Sequence, residues 1–256
     1  MNDTVREMDS RRARWLQYRS GQGLMPGTGD EFARCGLGRL TDGPDLRLLF
    51  LPADPEGDVV PLNREVLDWL KQPRESPFGG RYPSWGSSDR ATNGAIVLYD
   101  QFREDAGWTR YLALHRHGGL EVGIGRAAYE QREIRIFALR PIVGLAWCAA
   151  ALQAEVADRW GLEGMFEITV ALRNTSAATL GDFAEGWKQP GFGLDIVRCL
   201  DEHVLIRREL DGMADPESFA LDLGDRIEQA FGTLNRRHVA RQGEHEGSFD
   251  PRFEWF

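Results

Sequence analysis

The stretch Tyr111–Gly125, YLALHRHGGLEVGIG, carries the strongest fold signal in the sequence. Two apolar runs flank the pair His117-Gly118, which resembles the Asn-Gly pair of a two-residue hairpin turn. Histidine tolerates a positive φ better than most residues, and glycine adopts one freely. The stretch therefore predicts a β-hairpin with its turn at His117-Gly118.

A two-residue turn fixes which residues face each other across the hairpin. It sets His115 opposite Leu120 and Leu114 opposite Glu121, with Arg116 and Glu121 as a diagonal surface ion pair. Because side chains alternate along a strand, Arg116 and Glu121 share one face of the hairpin. The opposite face is apolar and is expected to meet helices. That face carries Tyr111, Ala113, His115, Leu120, Val122 and Ile124.

The His-x-His pair of this hairpin, with an acid four residues later, also suggests a metal site. Zinc requires three or four protein ligands, and a histidine in the turn need not share the face of His115. The cysteines are widely separated and form no Cys-x-x-Cys pair: Cys35, Cys148 and Cys199. A structural hairpin is favoured, and we predict no metal ligands.

Motifs of catalysis and of cofactor binding are missing from the sequence. It contains no phosphate-binding loop, no Gly-x-Ser-x-Gly and no dinucleotide-binding glycine pattern before a helix. Glu167 lies on a predicted strand, but a nuclease-like site would need a second acid and a lysine nearby. We therefore predict no catalytic residue and no cofactor.

Hydrophobic periodicity places further elements around the hairpin. Strands are predicted at 46–51, 94–102, 165–174 and 203–210, and helices at 4–19, after Asn63, from Pro141 to Gly161 and from Asp215-Pro216 onward. This order predicts an α+β fold: an antiparallel or mixed sheet, two long helices packed on one face, and a small irregular N-terminal segment.

Residues 72–93 hold three prolines and three glycines and are the best candidate for a boundary. We expect a helical or irregular segment at 1–90 and an α+β accessory domain at 91–256.

The net charge of −9 argues against strong non-specific binding to nucleic acid. Two groups of arginines could still contact nucleic acid or a partner locally: Arg6, Arg11, Arg12 and Arg14, and Arg236, Arg237 and Arg241. Aromatic residues near the end could dock a partner: Phe249, Phe253, Trp255 and Phe256. With no signal peptide and no membrane-length apolar stretch, a cytoplasmic location without a membrane partner is expected.

The hairpin also resembles a motif of a known family. Tyr111, Arg116, Gly118, Leu120 and Glu121 match an aromatic–x–x–x–Phe-Arg-Asn-Gly-Ala-Ile-Glu pattern. That pattern lies in the C-terminal region of bacterial proteins carrying a Schlafen/AlbA-like DNA-binding domain. The resemblance covers roughly residues 90–255, and the family's N-terminal domain is not recognised in residues 1–90.

This resemblance implies an accessory α+β module beside a separate catalytic or DNA-handling subunit, in a setting linked to prokaryotic antiviral defence. We accordingly expect a non-catalytic binding or scaffolding subunit of a larger, defence-related complex, with another protein or a second copy as partner. Two alternatives stay open: a nucleic-acid-associated component, and a hydrolase or nuclease with scattered active-site residues.

Overall fold

The computed structural model describes residues 40, 43–52, 58–79, 82–91, 94–101, 108–131, 133–181, 197–211 and 215–233. Within them the strands are β1 (Asp45–Pro52), β2 (Ser88–Ala91), β3 (Ala95–Gln101), β4 (Trp108–His115), β5 (Leu120–Ile124), β6 (Ala128–Gln131), β7 (Ile134–Ala138), β8 (Met165–Arg173), β9 (Thr179–Gly181) and β10 (His203–Asp211). The helices are α1 (Arg64–Leu70), α2 (Leu139–Trp160) and α3 (Pro216–Ala230). The predicted α+β class is confirmed.

Seven strands form one antiparallel sheet in the order β10-β8-β1-β5-β4-β3-β2. The predicted strand at 46–51 is β1, and it lies inside this sheet, between β8 and β5. All eight residues of β1 are buried, as expected of a strand covered on both faces. A smaller mixed sheet has the order β6-β7-β9, with β7 and β9 parallel.

The two long helices contact each other and pack on one face of the large sheet. From β1, the side chains of Leu46, Leu48 and Phe50 join their core. The ring of Phe50 meets that of Phe219 on α3 edge to face, with centroids 6.0 Å apart. The predicted pair of long helices on one face is thus confirmed, with 22 residues in α2 and 15 in α3.

The ends of these helices follow capping rules. Helix α2 begins at Leu139, two residues before the predicted start at Pro141, and ends at Gly161 with a left-handed φ of 63°. Helix α3 begins with Pro216 after the cap Asp215, whose side chain accepts a hydrogen bond from the helix backbone.

The sheet runs across the predicted division near residue 90. Strand β2 and the segment before it belong with later elements, because Phe78 packs on Trp147 of α2 and the Tyr82 hydroxyl donates to the carbonyl of Cys148. The two-part division stays a prediction, and the predicted helix at 4–19 lies outside the described residues.

Candidate functional site

The hairpin turn contains three residues rather than the predicted two. His115 N–H donates to the carbonyl of Gly119 at 2.9 Å, and Gly118 N–H donates to the carbonyl of His115 at 2.9 Å. Gly118 has a φ of 85°, the left-handed residue that closes a three-residue hairpin loop. Arg116 joins the turn, and this shifts the pairing of β4 and β5 by one residue.

The shift changes which residues share a face, because side chains alternate along a strand. Ala113 lies opposite Glu121, and Leu114 lies opposite Leu120. The predicted pairs His115–Leu120 and Leu114–Glu121 are therefore wrong. The β4 half of the predicted apolar face is also wrong, since the helix-facing residues of β4 are Leu112 and Leu114, not Tyr111, Ala113 and His115. The β5 half is confirmed, because the helix-side core includes Leu120, Val122 and Ile124.

Glu121 instead lies on the sheet face opposite the helices, with Tyr111 and His115. The Tyr111 hydroxyl donates to Glu121 Oε1 at 2.8 Å, and His115 Nε2 lies 3.2 Å from Oε2. An ionised carboxylate only accepts hydrogen bonds, so a bond from His115 to an ionised Glu121 requires the proton on Nε2. The exposed fraction is 0% for Tyr111 and Glu121 and 2% for His115. We call these three residues the Glu121 cluster.

The predicted surface ion pair between Arg116 and Glu121 is therefore wrong. Arg116 Nε lies 3.5 Å from Asp58 Oδ1, on the other side of the turn from the buried carboxylate. The cause is again the third turn residue, which places Arg116 in the loop and Glu121 in the interior.

His117 covers the cluster from the turn. Its ring stacks on that of His115, with centroids 5.0 Å apart and planes 3° from parallel. Its Nδ1 accepts a hydrogen bond from Gly119 N–H at 3.1 Å. Burial, followed by the neighbouring His115, lowers the pKa of His117 to about 3. His117 is therefore neutral and acts as an acceptor at physiological pH.

Two other parts of the fold hold the turn in place. Gln153 Nε2 on α2 donates to the carbonyl of Gly118 at 2.9 Å. The backbone N–H groups of Val59 and Val60 both donate to the carbonyl of Arg116, at 3.0 and 2.9 Å. The turn is thus fixed to the long helix and to the segment before α1.

An ion pair between β1 and β8 lies on the same sheet face as the Glu121 cluster, opposite the helices. Arg173 Nε contacts Asp45 Oδ1 at 2.8 Å and Oδ2 at 2.9 Å. Arg47 also faces Asp45, but at 3.6 Å. The ring of Tyr111 lies over Gly123, where an added Cβ would come within 2.1 Å of Cε1. We call this side of the seven-stranded sheet the polar face.

Glutamate, histidine and tyrosine are groups that can transfer protons. Burial keeps the Glu121 cluster from solvent, and burial together with Glu121 raises the pKa of Tyr111 well above its usual value. Among the described residues, no group of three or more His, Cys, Asp or Glu side chains is arranged to hold a metal ion. The buried hydrogen bonds of the Glu121 cluster therefore hold the hairpin register.

A second cluster lies on the surface where α1 meets the end of α2. The rings of Trp69 and Trp160 meet edge to face, with centroids 5.1 Å apart. The guanidinium carbon of Arg74 lies 4.7 Å from the Trp69 ring centroid, and that of Arg159 lies 5.2 Å from it. We call these four residues the tryptophan–arginine patch.

Sequence reasoning missed this patch because its members are far apart in the chain. The signal was a tryptophan near the end of each helix, with Arg74 five residues after Trp69 and Arg159 directly before Trp160. The contact between the two rings spans about 90 residues of sequence. None of the predicted contact residues is among those that the structure describes: Arg6, Arg11, Arg12, Arg14, Arg236, Arg237, Arg241, Phe249, Phe253, Trp255 and Phe256.

The two cysteines within the described residues are both buried thiols. Burial raises the pKa of Cys148 well above its usual value, so this thiol is a core residue and a poor nucleophile. Glu167, which the sequence placed on a strand, is on β8 opposite Glu209 of β10. It is buried, with an exposed fraction of 8%.

No protein family, curated protein or solved structure matches this chain. The resemblance of residues 90–255 to the C-terminal region of Schlafen/AlbA-like proteins therefore stays a prediction. Among the described residues, none of the helices has both the length and the apolar character that a membrane crossing requires.

Proposed function

We propose that this protein is a non-catalytic binding subunit that recognises another protein through the tryptophan–arginine patch. The single observation that carries the proposal is this patch: two partly buried tryptophans and two arginines held together on the surface. Tryptophan and arginine are the residue types most enriched among those that dominate protein–protein binding energy.

The patch is already ordered before any partner arrives. Arg74 donates to the carbonyls of Trp69, Leu70 and Gln72, each at 3.2 Å. Arg159 lies against both tryptophan rings and 3.4 Å from Glu65. Side chains fixed in this way lose little conformational entropy on binding, which favours affinity.

The charges around the patch favour a protein partner over nucleic acid. Arg74 pairs with Glu155 at 3.0 Å, and Arg159 pairs with Glu65. A phosphate backbone would meet a carboxylate beside each of these arginines, whereas a protein surface of mixed charge can complement both signs. A hydrolase or nuclease is less well supported, because the acid–base groups of the Glu121 cluster are buried.

Participation in a defence-related complex rests on the family resemblance alone. It is tested by co-expressing the chain with the products of the genes beside its own and separating the mixture by size-exclusion chromatography. We expect one product to co-elute with this protein. A chain that elutes alone in every combination contradicts the proposal.

Variants then locate the interface. Trp69→Ala removes a ring at the centre of the patch, and we expect about tenfold or greater loss of affinity, as is common for a dominant interface tryptophan. Arg64→Ala is the matched control on the same helix, because the Arg64 side chain is 77% exposed and its ion pair among the described residues is with Asp68 on the surface. Equal binding by both variants would place the interface elsewhere.

A further inference from the structure

Two acidic side chains of the polar face are held by hydrogen bonds or ion pairs within the described residues. Asp45 is held by Arg173, and Glu121 is held by Tyr111 and His115. Arg47 lies among them on β1, an interior strand of the sheet, and only 8% of its surface is exposed. Among the described residues it forms an ion pair with Asp45, but its Nε has no hydrogen-bond partner.

The contacts of Arg47 leave one of its hydrogen-bond donors without an acceptor. Its Nη2 lies 3.6 Å from Asp45 Oδ2, beyond hydrogen-bond distance, and that oxygen already accepts from Arg173. Its Nε is buried and has no hydrogen-bond partner. An arginine is always charged and presents its donors as a planar fork, so one donor of this fork points to no acceptor.

A buried guanidinium without full pairing is strongly unfavourable, and buried charges in proteins are normally paired or bind an ion. The neighbours of Arg47 in the sheet are small: Gly123 on β5 and Ala171 on β8. The Tyr111 ring lies over Gly123 on one side of Arg47, and Ala171 lies on the other side. Thr169, diagonal to Arg47 on β8, adds a hydroxyl to that side of the face.

We propose that Arg47 anchors a binding site for a small molecule bearing a carboxylate or a phosphate group. Two oxygens of such an oxyanion match the fork of an arginine, and one of them accepts from the buried Nε. This inference is independent of the tryptophan–arginine patch, which lies on the helices at the other side of the sheet.

The test measures thermal unfolding of the full chain in sodium phosphate, sodium acetate and sodium chloride at equal ionic strength, followed by calorimetric titration with the more effective anion. We expect saturable stabilisation by phosphate or acetate over chloride, and the stronger of the two names the ligand's acidic group. Arg47→Met abolishes this response. Arg207→Met is the matched control, because Arg207 lies on the same face but is exposed, and it keeps the response.

Arg47→Lys covers the case in which the methionine variant does not fold. It keeps the positive charge but lacks the planar fork, and we expect affinity to fall about tenfold or more. The proposal is overturned if the wild type shows no difference between the oxyanions and chloride, or if Arg47→Lys responds as the wild type does.

Discussion

Replacing Tyr111 with phenylalanine removes one hydroxyl group and leaves Glu121 Oε1 without its hydrogen bond. Hydrogen bonds to charged groups contribute about 1.5–3 kcal/mol, and a buried acceptor that loses its donor stays desolvated. Because Glu121 has an exposed fraction of 0%, water does not replace the donor without a change in structure. We expect Tyr111→Phe to lower the free energy of unfolding by about 2–3 kcal/mol.

The comparison variant is Tyr82→Phe, which removes the same atom from another buried tyrosine. The Tyr82 hydroxyl donates to the uncharged carbonyl of Cys148, and this bond is expected to contribute only about 1 kcal/mol. Urea unfolding followed by circular dichroism measures both variants, and an unchanged m-value shows that the midpoint shift reports stability.

Glu121→Gln then separates charge from geometry. The amide keeps the volume of the carboxylate, can accept from Tyr111, and can donate to His115 after a change of imidazole tautomer. In this background Tyr111→Phe should lower stability by only about 1 kcal/mol, because both partners are neutral. Equal losses for Tyr111→Phe and Tyr82→Phe, or the same loss in both Glu121 backgrounds, would refute an ionised Glu121 bonded to Tyr111.

Three further predictions concern the turn, the Tyr111 ring and the first helix. The fold lowers the pKa of His117 from 6.5 to about 3. The unfolded state therefore takes up the proton first, and the free energy of unfolding falls as the pH drops from 6.5 toward 3. Relative to His117→Asn, the wild type should lose about 1–3 kcal/mol between pH 7 and pH 4.5, and a difference that does not change with pH in urea unfolding contradicts this. Gly123→Ala places a Cβ within 2.1 Å of the Tyr111 ring and should lower stability by about 1–3 kcal/mol, with an altered near-ultraviolet tyrosine signal; a neutral result would show that the ring moves freely. Asn63→Ala removes the acceptor for Val66 N–H at 3.0 Å and should lower the thermal midpoint by the equivalent of about 1 kcal/mol, whereas Asn63→Asp should leave it nearly unchanged.

The long elements could be predicted because their signals are local. The apolar stripe and the glycine end of α2, the cap and proline of α3, and the branched residues of β8 each lie within one continuous segment. Short strands such as β2 and β9 have four and three residues, too few for a period to show, and they form only where a partner strand offers its edge.

The interior position of β1, between β5 and β8, was not predictable for a different reason. Its neighbours β5 and β8 follow it by about 70 and 120 residues. No local pattern records such pairing, and the proline- and glycine-rich stretch at 72–93 suggested a boundary instead. The tryptophan–arginine patch was missed for the same reason, since Trp69 and Trp160 meet only after the helices have packed.

The sequence did not determine the hairpin register, because β4 is apolar on both faces. Tyr111 and Ala113 alternate with Leu112 and Leu114, so the hydrophobic pattern does not show which pair faces the helices. Only the number of turn residues decides it, and two adjacent glycines in HRHGG suit either a two-residue or a three-residue loop.

Buried charge removes this ambiguity. In the two-residue register Glu121 would lie apart from Tyr111 and His115, and its two oxygens would lose the donors that they have in the structure. In the three-residue register each oxygen meets one donor, and Leu120 and Val122 join Leu112 and Leu114 in the helix-side core. A slip of one residue would therefore take Leu120 and Val122 out of the helix-side core and separate Glu121 from its two donors. The observed register is strongly favoured for this reason. The histidine that resembled a metal ligand is thus better explained as the second donor to a buried carboxylate.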